Sequence, residues 1–247
     1  MKYIILFLLI TFSAHSQEKK IIKNDLYWLV YNLDLNLTNK YTFFASYDHR
    51  RLIPEKPNQN HTVLLFTYKL NDEWKVGVGY TFFELFLPQS INTPVELVPH
   101  EHRPFQQLIR TTKLTDDLTL STRFQIEQRF FQRIENNKLT DENNFFVRFR
   151  FRAGLNYNLL RIFSEKKNIG LYINNETHVQ IGKEIVYNTF DQNRFQFGMS
   201  YKINDNFKVN IGYLHWYQET NQFIDNEYLY LSRNILVLNL TNTFKLY

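Results

Sequence analysis

The sequence has no cysteine and no long apolar run beyond its N-terminus. Without Cys among its 247 residues, the chain is neither a disulfide scaffold nor a lipoprotein anchored through a cysteine after an export signal. Past the first dozen residues, no apolar run approaches the roughly 18 residues that a membrane-spanning helix needs. These absences exclude a helical membrane protein.

The chain also has little net charge. The formal net charge is only +5, and its even scatter along the chain argues against a nucleic-acid-binding surface. Aromatic residues are abundant, at 17%, which argues against a disordered chain. With a mean hydropathy of −0.40, two classes remain, a soluble β-rich domain and a transmembrane β-barrel, whose alternating strands keep the average low.

The first residues resemble an export signal. Lys2 gives a positive start, an apolar stretch follows from Ile4 to Phe12, and Ala14 and Ser16 are small residues three and one before Gln17. This arrangement matches a signal-peptidase site. We therefore predict a signal peptide over residues 1–16 and a single domain over residues 17–247.

Apolar and polar residues alternate with a period of two along most of the chain. In the segment 145–157 one face is wholly apolar, whereas the other carries Arg148, Arg150 and Arg152. Because side chains alternate between the faces of a strand, this pattern predicts a strand with one basic face. No segment has a convincing helical period, so we predict an all-β protein.

Eleven segments of this kind can be counted. They are 26–37, 41–51, 61–70, 74–85, 100–112, 118–131, 145–157, 169–180, 192–203, 207–217 and 231–246. Bacterial single-chain barrels normally have an even number of strands. We therefore expect about twelve strands, either because residues 17–25 hold a further strand or because that tail threads through the lumen, with ten strands as the alternative.

The connections between the segments differ in length. Short turns rich in Asn and Asp, as turns favour, lie at 38–40, 71–73, 115–117 and 204–206, with 158–168 placed in the same series. Longer polar links lie between them, at 52–60, 86–98, 132–144, 181–191 and 218–226. Short turns at one end and long loops at the other are typical of an outer-membrane barrel, with turns in the periplasm and loops outside.

Several aromatic residues lie near the predicted strand ends, where a membrane barrel has its interfacial girdles. They are Trp28, Tyr41, Trp74, Phe207, Tyr217 and Tyr247. Together with the export signal, they favour an antiparallel transmembrane β-barrel in the outer membrane of a Gram-negative-type bacterium over a soluble barrel. Its expected partners are outer-membrane lipid and, during biogenesis, the barrel-assembly machinery, but no nucleic acid.

Charged residues on the polar faces form the strongest candidate site. Neighbouring antiparallel strands place them within pairing distance, so an Arg–Glu lattice should fill the interior. Two interpretations remain open: the polar core of a narrow barrel, or a pathway or ligand site for a small anionic solute, favoured by the excess of Arg. The candidates are Glu101, Arg103, Arg123, Glu127, Arg129, Arg148, Arg150, Arg152, Glu176 and His178.

Catalytic and metal-binding patterns are weak. His100 and His102 share a strand face, but zinc commonly needs three or four ligands, and we expect no metal and no cofactor. A lipid-active enzyme would need a nucleophile beside a base. His178 and His49 are candidate bases and Ser46 and Ser200 candidate nucleophiles, yet nothing in the sequence brings them together.

A set of short motifs extends from the first strand to the C-terminus. They are Trp28, Tyr68-Lys69-Leu70, Gly79-Tyr80, Glu101-His102-Arg103, Gln106-Gln107, Arg123, Glu127-Gln128-Arg129, Arg148-x-Arg150, Glu176 and Gly212-Tyr213. In order and spacing the chain resembles the outer-membrane-type β-barrels of domain-of-unknown-function family 2490. The resemblance implies a fold and a location but no chemistry. One departure is Tyr247, which falls off the apolar phase of the last strand.

We therefore expect a non-enzymatic outer-membrane protein. It would be either a narrow pore or a structural or assembly component with an Arg/Glu-rich lumen. The alternative is a lipid-active enzyme or a ligand-binding barrel.

Overall fold

All regular structure in the described residues is β-strand. The computed structural model describes residues 19–90, 92–161, 168–224 and 227–247, so the predicted signal peptide lies outside the described residues. No helix in this part of the chain is long and apolar enough to cross a membrane. The strands are β1 (Lys19–Asn36), β2 (Tyr41–Leu52), β3 (Lys56–Lys69), β4 (Trp74–Leu85), β5 (His100–Lys113), β6 (Leu118–Glu135), β7 (Lys138–Arg161), β8 (Asn168–Ile181), β9 (Phe190–Lys202), β10 (Phe207–Ile224) and β11 (Glu227–Lys245).

Within the described residues, eleven strands form a closed barrel in which each strand pairs with its neighbours along the chain. Closure comes from β1 and β11, which run parallel, with Lys19 opposite Tyr228 and Asn36 opposite Lys245. An up-and-down barrel with an even strand number closes antiparallel, so this parallel pair accounts for the odd number. The expected twelve strands, and the alternative of ten, are therefore wrong.

Residues 19–25 explain the miscount. They form neither a separate strand nor a segment threaded through the lumen, because they pair with residues 228–234 as the first part of β1. Polar residues interrupt the apolar alternation there, but the backbone hydrogen bonds of a ladder do not require apolar side chains.

Four tight turns share one capping arrangement at one end of the barrel, which we call the turn end. The Asn71 side-chain oxygen accepts hydrogen bonds from the backbone N–H groups of Glu73 and Trp74, at 2.9 and 2.8 Å. Thr38, Thr115 and Asn204 repeat this pattern in their own turns. The predicted short turns at 38–40, 71–73, 115–117 and 204–206 are confirmed here, since a side-chain oxygen satisfies two N–H groups that the ladder leaves free. Of the fifth predicted connection, 158–168, residues 162–167 lie outside the described residues.

The opposite end, the loop end, differs from the expectation. Much of the predicted links 52–60, 132–144 and 218–226 is strand. In the tallest hairpin, β6 and β7 are joined only by Asn136 and Asn137, whose φ angles of 49° and 58° suit a two-residue hairpin turn. These stretches are polar on both faces and so lack the alternation that would have predicted strands.

Side chains alternate between the interior and the outer wall. On β5, for example, Glu101, Arg103 and Phe105 are buried, whereas His102 and Leu108 are exposed. Two glycines on β9 and β10, Gly198 and Gly212, lie opposite each other. A Cβ on Gly212 would lie 2.3 Å from the Tyr172 hydroxyl, so glycine leaves the space in which this interior tyrosine lies.

Part of the interior is apolar. Trp28 and Trp216 are buried with Leu26, Leu214 and Ile235 on β1, β10 and β11. The prediction that Trp28 belongs to an outer girdle is therefore wrong: its even position on β1 faces inward. Tyr41, Trp74, Phe207 and Tyr217 occupy the outward-facing phase of their strands.

Candidate functional site

The ten predicted lumenal residues all lie on inward-facing positions of β5, β6, β7 and β8. With partners from β2, β9 and β11 they form a layer that we call the charged belt. Its nine arginines are Arg50, Arg103, Arg123, Arg129, Arg148, Arg150, Arg152, Arg194 and Arg233, and its five carboxylates are Asp48, Glu101, Glu127, Glu176 and Asp191. Positive charge therefore exceeds negative charge by four in the belt.

Glu127 is the most heavily paired carboxylate of the belt. Its oxygens lie 2.5 Å from Arg148 Nη2 and 2.6 Å from Arg150 Nη1, and its side chain is 1% exposed. Gln125 donates a further hydrogen bond of 2.8 Å. Arg148 extends the network to Asp191 on β9, at 2.9 Å. Such charge-assisted contacts from both sides fix the rotamer of each partner.

Glu176 forms a second centre. Arg150 Nη2 lies 2.9 Å from one of its oxygens, and Arg123 pairs with the other. His178 Nε2 lies 3.1 Å from Glu176, and its Nδ1 is 2.6 Å from the Gln192 amide nitrogen. The histidine is completely buried within this network. Its place between Glu176 and Gln192 is that of a polar residue in the barrel interior.

Glu101 forms the third centre, between β4 and β6. Arg103 Nη2 lies 2.6 Å from one of its oxygens, and Arg129 holds both oxygens through its Nε and Nη2 atoms. Arg129 also donates a 2.9 Å hydrogen bond to Gln180 on β8. The predicted Arg–Glu lattice thus spans the interior from β5 to β9.

Sequence reasoning missed three arginines of the belt, Arg50, Arg194 and Arg233. Of the six that it predicted, Arg152 forms no salt bridge within the described residues. In the described chain, neither Arg194 nor Arg233 forms a salt bridge. Instead, the Arg194 and Arg233 guanidinium carbons lie 4.9 and 4.6 Å from the Trp216 ring centre. Arg50 lies 3.8 Å from the Trp28 ring centre, although it also pairs with Asp48. Aromatic faces attract guanidinium groups in this way.

The two tryptophans pack edge to face, with ring centroids 6.0 Å apart. They form the support for these three arginines. The alternation along β11 could have predicted that Arg233 faces inward, because it shares an odd-numbered position with Asn239 and Thr241. No local pattern, however, places it beside Trp216 on β10.

Two cavities bordered by described residues lie in the interior. The larger, of about 500 Å³, lies toward the loop end and is lined by Arg50, Arg194 and Arg233 together with apolar residues. The smaller, of about 200 Å³, is lined by residues including Ser46, Gln125 and Glu127. Both cavities share four lining residues, which places basic side chains at their junction: His61, Arg103, Arg148 and Arg194.

The loop between β4 and β5 contributes to the larger cavity, which we call the upper cavity. Leu87, Pro88, Gln89 and Ser90 line it. Lys56 Nζ donates to the carbonyl oxygens of Ser90 and Thr93. Gln89 accepts a hydrogen bond from Arg233, far away in sequence on β11. The loop is therefore tied to the barrel interior rather than extended into solvent.

His100 and His102 lie on the outer wall. The alternate residues of β5, Glu101 and Arg103, point inward. His102 contacts the Tyr80 hydroxyl, and both histidines border a small surface depression with Gln132, Asp141 and Asn143. No group of three His, Asp or Glu side chains in the described ranges could hold a metal ion. The expectation of no metal stays a prediction.

The four candidate catalytic residues are not brought together. Ser46 points inward and donates to Asp48, at 3.0 Å, whereas His49 lies on the other face of β2 and contacts Asn60. The structure instead pairs two residues that the sequence did not single out. His215 Nε2 and Ser232 Oγ lie 3.1 Å apart on the outward phase of β10 and β11.

Comparison with solved structures gives a likeness to the NanC porin. It has a TM-score of 0.44 and 12% sequence identity, and it covers 82% of this chain and 86% of that one. No curated protein matches the chain. The family model described as "Protein of unknown function (DUF2490)" matches residues 26–227. The resemblance seen in the motifs is thereby confirmed, and the chain belongs to the DUF2490 family.

Proposed function

We propose that the protein spans the outer membrane of a Gram-negative-type cell as a single barrel of residues 17–247, exported by the signal peptide 1–16. The outer wall supports this proposal, since large apolar side chains are exposed all around it, among them Leu29, Val78, Phe151 and Phe197. Exposed apolar surface of this extent is costly in water but suits lipid. The strands, of 12 to 24 residues, exceed the roughly 9–11 needed to cross.

Within that membrane, the barrel acts as a narrow, non-enzymatic passage for small anionic solutes. The observation that carries this proposal is the excess of arginine over carboxylate in the charged belt, where Arg152, Arg194 and Arg233 form no salt bridge with any described residue. A belt that served only as a polar core would be expected to neutralise its charges, because an unpaired buried ion is costly. The two cavities that share Arg103, Arg148 and Arg194 supply the space for a path.

Planar-bilayer recordings of the purified protein test this function. We expect reproducible conductance that favours anions, because fixed positive charge concentrates anions in a constriction. Arg194→Gln should lower the anion-to-cation permeability ratio by about twofold or more. Arg110→Gln, at an exposed outer position paired with Glu73, is the matched control and should leave that ratio unchanged. Silence of the folded protein would favour a closed structural or assembly component.

The His215–Ser232 contact favours one second candidate, a lipid-active enzyme. A serine within hydrogen-bond distance of a histidine is the first requirement of nucleophilic catalysis. A phospholipid-ester assay in detergent tests this candidate. Hydrolysis or acyl transfer that is lost in Ser232→Ala and retained in Ser46→Ala would support it, whereas absence of turnover would remove it.

A further inference from the structure

The basic side of the upper cavity carries guanidinium hydrogen-bond donors that no described residue uses. Arg233 is fully buried, yet its Nε and Nη1 atoms have no hydrogen-bond partner among the described residues. The Nε atom of Arg194 is likewise buried without a partner in the described ranges. A buried guanidinium with unsatisfied donors is costly. Both arginines are among the residues that line the cavity, so an anion bound there, with a small rearrangement of these side chains, would relieve that cost.

The two buried tryptophans hold the guanidinium groups of the arginines in position. Guanidinium groups lie against both rings, with Arg50 over Trp28 and Arg194 and Arg233 over Trp216. The indole Nε1 atoms of Trp28 and Trp216 are buried without a hydrogen-bond partner in the part of the chain that the structure describes. The rings therefore serve as supports for the cations rather than as stacking platforms for a ligand.

The remainder of the cavity has different chemistry. Leu85 and Leu87 from β4 and its loop, and Leu229 and Leu231 from β11, line the same space as the arginines. A hydrated inorganic ion would make no use of these apolar side chains. The volume, about 500 Å³, falls within the range of small-molecule sites.

We propose that the upper cavity is a binding site for a water-soluble organic anion with one acidic head group and an apolar body. The head group is held by Arg194 and Arg233, whose forked donors match a carboxylate or phosphate. The body lies against Leu85, Leu87, Leu229 and Leu231. This inference rests on the proposed passage, for which it names the class of solute.

Intrinsic fluorescence offers a direct test, because the chain has three tryptophans. In Trp74→Phe, only Trp28 and Trp216 remain. Trp216 lines the cavity, and Trp28 packs against it, with ring centroids 6.0 Å apart. The folded variant in detergent is titrated with 4-phenylbutyrate, with phenyl phosphate and with the neutral 4-phenylbutanol. We expect a saturable fluorescence change with at least one of the two anions and none with the alcohol. The two anion arms decide between a carboxylate and a phosphate head group.

Substitutions then locate the site. Arg194→Gln and Arg233→Gln in the same background should each weaken binding at least tenfold, and Arg194→Lys should recover part of the loss. Arg110→Gln, on the outer wall, should bind like its parent. Heat-modifiable migration on a gel shows that each variant has folded. Equal binding of the alcohol, unchanged affinity in both Gln variants, or equally strong binding of inorganic phosphate would overturn the proposal.

Bilayer recordings separate this inference from the proposed function. Saturable binding by a barrel that does not conduct would retain the site and refute the passage. Anion-selective conductance without saturable binding of either probe would retain the passage and refute the site.

Discussion

Single residues in the charged belt differ in how much the fold depends on them. Glu127 lies between Arg148 and Arg150 and is almost fully buried. Glu73 lies on the surface, and its pair with Arg110 is about half exposed. Pairs of these two kinds differ in energy because the buried cations, once deprived of their carboxylate, cannot regain water.

Glu127→Gln should therefore lower the free energy of unfolding by about 3–5 kcal/mol. Urea titration followed by heat-modifiable migration in detergent or lipid measures this change. Glu73→Gln is the control and should change stability by no more than about 1 kcal/mol, as exposed pairs do. Equal stabilities of the two variants would show that Glu127 is not an organising centre of the belt.

Trp28 shows the limits of residue type as a guide. An aromatic residue near a strand end is typical of a membrane girdle, and this one lies inside the barrel beneath Arg50. Its even position on β1 decides that it faces the interior rather than the outer wall. Residue type alone could not decide this, because Trp is equally suited to an interface and to a cation–π contact.

At the scale of elements, the β4–β5 loop is the segment on which access to the interior depends. Lys56 holds two of its carbonyl oxygens, and Arg233 holds Gln89. Loss of the Lys56 ammonium group leaves these carbonyls without that donor, which weakens the attachment of the loop. The absence of native cysteine makes a single introduced thiol a clean reporter of this change.

We expect Lys56→Ala to raise the maleimide labelling rate of Ser90→Cys by about fivefold or more, since it removes two charge-assisted hydrogen bonds. Stopped-flow or quenched labelling of the purified barrel gives the rate. Lys69→Ala removes an exposed pair with Asp72 at the turn end and should leave the rate unchanged. Identical rates in all three proteins would mean that Lys56 does not hold the loop.

The whole molecule is defined by its parallel closure. Because β1 and β11 run in the same direction, residue 19 lies at the loop end, and the tight turns lie at the other end with residue 245. In a membrane barrel this topology carries the start of β1 to the side of the loops. In a barrel with an even number of strands, the start of the first strand and the end of the last strand would lie on the same side of the membrane.

Labelling in intact cells with a membrane-impermeant maleimide tests this topology. Single cysteines at Lys19 and Asn137 should both react, whereas cysteines at Asp116 and Asp205 should react only after the outer membrane is opened. Reaction of Asn137→Cys without Lys19→Cys would contradict the parallel closure. If none of the four cysteines reacts before lysis, the loop end lies in the periplasm or the protein is not in the outer membrane.

The sequence by itself determined the class of fold, the side of most residues and the four tight turns. Period-two alternation is a local property, and so is an Asn or Thr that caps a turn, which is why residues such as Arg148, Arg150 and Asn71 were placed correctly. The ten lumenal candidates follow from the same phase rule.

Only the tertiary structure decided the strand number, the closure and the composition of the upper cavity. Pairing of residues 19–25 with residues 228–234 joins segments some two hundred residues apart, and no local pattern encodes such a contact. The same holds for Arg233, which reaches Trp216 and Gln89 only because the barrel closes. The cavity therefore depends on the closed barrel, although each of its residues is visible in the sequence.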